Sequence, residues 1–72
     1  MTVDEFPKIE DGTYVRHFYN VPAYMHGRVL FYGLPGTIVG FTDQYLRIRM
    51  DGESGLPGFY HPTWRIDYLT PP

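Results

Sequence analysis

Tyr45-Leu46-Arg47-Ile48-Arg49-Met50 is the stretch that decides the fold. It alternates without a break, with Leu46, Ile48 and Met50 on one parity and Tyr45, Arg47 and Arg49 on the other. Successive side chains of a strand point to opposite faces, whereas a helix would scatter these residues around its circumference. The pattern therefore predicts a half-buried antiparallel strand. The apolar trio turns to a core, and the tyrosine and two arginines turn to water.

Neighbouring segments extend this reading. Upstream, "RVLFY" (28–32) and "TIVGF" (37–41) are rich in β-branched and aromatic residues and read as strands, with "TDQ" (42–44) as a tight connection. Downstream, "DGESGLPG" (51–58) is a turn-rich loop that opens with Asp51-Gly52, a favoured hairpin pair. "FYH" (59–61) reads as a short strand, "PTW" (62–64) as a 3-10 turn and "RIDYL" (65–69) as the closing strand. "TYVRHFYNV" (13–21) also reads as a strand, whose inward face is either Tyr14, Arg16 and Phe18 or, the favoured set, Val15, His17 and Tyr19, and "PAYMHG" (22–27) reads as a loop or single helical turn. Residues 1–12 form an acidic arm, a partly ordered tail preceding a domain over 13–72. Five to six short antiparallel strands at spacings of about 8–12 residues predict an all-β barrel or sandwich. Closing the sheet removes exposed edges.

"GLPG" occurs twice, at Gly33–Gly36 and Gly55–Gly58. A phosphate-binding loop opens a helix and carries a Lys with a following Ser or Thr. Here β-patterned segments follow both copies and no Lys is near, so both read as turn chemistry. Leu-Pro-Gly-X supplies the proline and the positive-φ glycine of a type II turn. The second copy sits in the longer loop, with Glu53 and Ser54, and is the one expected to touch a partner.

A chain of 72 residues makes one domain with a small core, because it buries only about 60% of its unfolded surface. Cysteine is absent, which removes disulfides and thiol chemistry, and aromatic residues at 18% are expected to supply the packing instead. Net charge is −2, with Asp4, Glu5, Glu10 and Asp11 concentrated at the start and a nearly neutral body after them. A nucleic-acid binder more often shows a basic stripe. No apolar run reaches the length needed to span a bilayer, and the first residues lack a signal peptide's pattern, so a soluble cytoplasmic protein is expected.

"GRVLFYGLPGTIVGF", "YLRIRMDG" and "FYHPTWRIDYL" together resemble the SH3-like small barrel, in its bacterial and phage variants and in KOW-type and CAP-Gly-like domains. The resemblance covers Gly27 to Leu69. It implies a barrel whose last strand follows a 3-10 turn. It extends in general look to small proteins of bacteriophages and their hosts, which would make the chain a phage-encoded modulator of a host protein. The acidic and aromatic signature of signalling SH3 domains is absent, as is the "GKNDG" stretch of CAP-Gly domains, so neither peptide-binding activity carries over.

Little in the chain suggests catalysis or a metal. His17, His26 and His61 follow no zinc-ligand spacing, and His61 before Pro62 is expected to order the turn. Ser54 lacks a nucleophile elbow. Asp43, Asp51 and Glu53 fall in turns, where they bond locally. Trp64 is expected in the core. Arg47 and Arg49, roughly 7 Å apart beside Tyr45, suit an anionic or carboxylate-bearing partner. The expectation is a non-enzymatic protein-interaction module without cofactor or metal, binding a protein through Tyr45, Arg47, Arg49, Tyr60 and the Gly52–Gly58 loop with Glu53. Nucleic-acid binding on the same face and self-association as a homodimer are the rivals.

Overall fold

The computed structural model describes residues 12–69. The elements run α1 (Thr13–Tyr19), β1 (Arg28–Phe31), β2 (Leu34–Thr42), β3 (Tyr45–Met50), β4 (Gly58–Tyr60) and β5 (Ile66–Tyr68). The five strands form one open antiparallel sheet in the order β4-β3-β2-β1-β5, so the protein is mostly β with a single short helix. The expected acidic arm lies outside the described residues except for Gly12. Among the described residues, no helix is long and apolar enough to cross a membrane.

β3 alternates as its sequence dictates. Leu46 and Ile48 are 0% and 1% exposed and Met50 is buried, while Tyr45 and Arg49 face solvent and Arg47 is half-buried. Val15, Ala23, Val29, Ile38 and Phe41 complete the core, and Tyr19, Phe31, Tyr60, Ile66 and Tyr68 pack around it.

The segment 13–21 is helical, not extended. Gly12, at φ 89°, begins α1 and its carbonyl accepts from the Arg16 amide at 2.9 Å; Asn20 ends it in the left-handed region at φ 58°. Gly and Asn are the residues that adopt this conformation most readily. A Cβ on Gly12 would lie 2.5 Å from Phe41 Cζ, so glycine is required for space as well. Val15 is buried and Tyr19 half-buried, one helical turn apart, whereas His17 is exposed. The helix has only seven residues. Too short to persist alone, it is held by this packing and by Arg16 Nη1 donating to Ala23 O at 2.9 Å.

Neither GLPG copy makes the expected Leu-Pro-Gly type II turn. In the first, the hairpin loop is Tyr32-Gly33, both at positive φ (54° and 79°), which is the type I′ sign pattern suited to strand twist. Leu34, Pro35 and Gly36 already belong to β2. A Cβ on Gly36 would lie 2.9 Å from both Ile48 Cγ2 and Met50 Sδ, so this glycine leaves room for those two core side chains. In the second copy, Gly55 takes φ 96° and Gly58 starts β4. Type II signs occur instead at Met50–Glu53, where the Glu53 amide donates to Met50 O at 3.1 Å and Gly52 has φ 84°.

β2 bends where its register with β3 shifts between Ile38 and Gly40, leaving Val39 as a bulge. Before β5, His61–Trp64 forms one turn closed by the Trp64 amide on His61 O at 3.2 Å. His61 Nδ1 accepts from the Thr63 amide at 3.1 Å, so this histidine does order the turn. Tyr68 Oη donates to Pro62 O at 2.7 Å and clasps β5 to it. Burial pushes the Tyr68 phenol well above its ordinary range, which keeps that donor protonated.

Candidate functional site

Directly paired residues in an antiparallel ladder share a face, so the β3–β4 register sorts the expected contact residues. Arg47 pairs with Phe59, and Leu46 with Tyr60. Tyr45, Arg47 and Arg49 therefore share the outer face with Phe59. Tyr60 lies on the other face, half-buried, with its ring 4.8 Å from that of Phe31. Phe59, which is 62% exposed, takes the place expected for Tyr60. Its ring lies 4.7 Å beneath the Arg47 guanidinium. Arg49 Nη1 donates to Gly55 O and ties the loop to the strand, while Glu53 stands exposed in that loop.

The ion pair among the described residues joins Arg28 and Asp51. Arg28 donates to both carboxylate oxygens, at 2.8 and 2.6 Å, and to Thr37 Oγ1 at 2.7 Å. That fork lowers the Asp51 carboxyl and raises the Arg28 guanidinium from their ordinary values, chiefly through the hydrogen bonds, with partial desolvation opposing and the opposite charge adding a smaller share. The contact is exposed and pins the loop to β1 and β2.

A second surface gathers exposed aromatic rings around the turn before β5. Trp64 is 54% exposed, contrary to its expected place in the core, because it sits in the turn before β5 and not on an inward strand position. Its ring lies 5.6 Å from Tyr32, which is 57% exposed, and 6.1 Å from Phe31. Phe31 also meets Tyr32 edge-on at 4.8 Å. The Arg65 guanidinium covers Tyr32 at 5.2 Å and Trp64 at 5.7 Å. Tyr32 and Arg65 are both left-handed, at φ 54° and 61°, and the Tyr32 amide donates to Arg65 O at 3.3 Å. A bulky residue in this region costs about 1–2 kcal/mol. Such strain concentrates at ligand clamps and switch regions. The signal in the sequence is Tyr32-Gly33 between two strands, where Asn-Gly is the favoured pair.

A row of rings also runs from α1 to β3. Tyr14 stacks on Phe18 at 5.3 Å, Phe18 meets Tyr19 at 4.9 Å, and His61 lies 5.1 Å from Tyr19 and 6.4 Å from Tyr45. The three histidines join no cluster of metal-binding side chains among the described residues. No protein-family model, curated protein or solved structure matches the chain.

Proposed function

We propose that this chain is an SH3-like small barrel acting as a non-enzymatic protein-interaction module, with Tyr32, Trp64 and Arg65 at the centre of its contact surface. The strand order β4-β3-β2-β1-β5, the bend in β2 and the turn before β5 support the barrel. One observation carries the functional reading: two residues in a costly left-handed conformation hold an exposed Trp-Tyr pair under an arginine. Large rigid rings give contact area at small entropic cost, and Trp, Tyr and Arg dominate interface hot spots.

The outer face of β3 contributes less to a phosphate-binding reading. Arg49 is engaged with Gly55 O, Arg28 with Asp51, and Arg47 rests on Phe59. Affinity capture from a lysate of the source organism, with wild type, Trp64→Ala and Tyr32→Ala compared, tests the proposal. A protein retained by wild type and lost by both variants supports it. Capture unchanged by both variants, or salt-sensitive binding to single-stranded DNA or RNA in place of a protein, would overturn it.

A further inference from the structure

Arg47 differs from the other arginines of the outer face. Arg28 and Arg49 each have an acceptor, but Arg47 Nε is sealed from solvent with no hydrogen-bond partner among the described residues. An unmet buried donor is expensive, and more so when the group is charged. The same side chain lines an open cleft of 220 Å³ with Val39, Gly40, Phe41 and Pro57. Two features of β2 make that cleft. Val39 is the bulged residue without a register partner, and Gly40 stands directly opposite Arg47 with no side chain to fill the space. A Cβ on Gly40 would lie 3.6 Å from Arg47 Cβ and Cγ, an ordinary contact, so the glycine is not demanded by crowding. It leaves the space open.

The geometry points to this cleft as a binding site for the chain-end carboxylate of a partner protein whose last residue is apolar. The planar guanidinium is built to grip a carboxylate through parallel N–H bonds. The guanidinium rests on the Phe59 ring, and the same side chain lines the cleft. The Val39 and Pro57 side chains stand next to that charge, whereas the Phe41 ring belongs to the core. A C-terminal residue presents both chemistries within one residue's reach. This deepens the interaction-module reading and rests on it, yet the site is separate from the Trp64 surface.

The test uses N-acetyl-leucine as the probe and N-acetyl-leucinamide, which lacks the carboxylate, as its control. The readout is the NMR signals of Arg47 Nε–H and of the Val39 and Gly40 amides. The expected result is a saturable shift with the acid at a Kd on the order of 1 mM, and none with the amide. Arg47→Lys keeps the charge but loses the fork, and weakens binding about tenfold. Gly40→Val fills the cleft while leaving Arg47 in place, and abolishes the shift. Equal shifts from acid and amide, shifts reproduced by sodium chloride, or binding that survives Gly40→Val would each overturn the site. Those outcomes leave capture through Trp64 untouched, so the two proposals fail separately.

Discussion

Replacing Ile48 by alanine opens a void in the core, with Ile38 paired to it on one side and Gly58 on the other. Ile48 is fully buried, in register with Gly58 on one side, and its Cγ2 lies 2.9 Å from where a Cβ of Gly36 would stand. Buried Ile→Ala changes cost about 2–5 kcal/mol, and the upper part of that range applies where the site cannot collapse. With a glycine as partner on one side and Ile38 on the other, this site belongs near the middle of that range, about 3 kcal/mol. Gly36→Ala alone forces a methyl against Ile48 and Met50, an overpacking worth roughly 1–3 kcal/mol. In the double variant the new methyl enters the space vacated by Ile48 Cγ2, and the flexible Met50 and the tight 3.2 Å contact with Arg49 O still have to give. The two changes should therefore couple favourably, the pair costing roughly 1–2 kcal/mol less than the sum of the singles. Urea unfolding followed by far-ultraviolet circular dichroism measures all four proteins. A background of trimethylamine N-oxide keeps the singles folded, because a chain this size has only about 4–11 kcal/mol in total. Additivity within about 0.5 kcal/mol would refute the packing of Gly36 against Ile48.

Asp51→Asn should destabilise the protein most at neutral pH. The folded Asp51 carboxyl sits below its ordinary 3.8, so the contribution of the ion pair is present above that value and fades as pH falls through the folded value. The gap between wild type and variant should close in acid and shrink with salt; a gap independent of both would contradict the pairing. Tyr68→Phe strands the Pro62 carbonyl and should cost about 1 kcal/mol, seen as a drop of several degrees in thermal midpoint. An unchanged midpoint would remove the clasp from the account of β5. Tyr32→Asn installs the favoured Asn-Gly hairpin pair and relieves about 1 kcal/mol of left-handed strain, so stability should hold or rise while partner capture is lost. A large fall in midpoint would show that the ring serves the fold instead.

β3 was legible because period two is a direct consequence of strand geometry, and β1 and most of β2 from their β-branched and aromatic composition; the start of β2 was not, because Leu34-Pro35-Gly36 carries turn chemistry. The helix was hidden by a coincidence of spacing. Val15 and Tyr19 share a parity in a strand and a face in a helix, and the β-branched and aromatic composition favoured the wrong choice. Gly12 and Asn20 at its ends were the informative residues. Tyr60 was misplaced because parity is not transmitted through the loop from Asp51 to Pro57; only the pairing of Leu46 with Tyr60 restores it. Arg47 and Arg49 could be placed outward from β3 alone. Their difference could not, since it depends on the bulge at Val39 and on Phe59, both set by strands paired across the sheet.

The sheet is a meander with one exception. β1, β2 and β3 each pair with the next strand in the chain, while β5 crosses back to β1. Hairpins close short loops cheaply, but the β1–β5 pair must close the whole intervening chain. The final three-residue strand is thus the last to zip and the first to fray. Trp64 and Arg65 lie immediately before it, so the residues proposed to meet a partner sit next to the least firmly fastened strand of the sheet among the described residues. A partner gripping them would act as a latch, slowing amide exchange along β5 and lending the fold a rigidity that the free protein lacks.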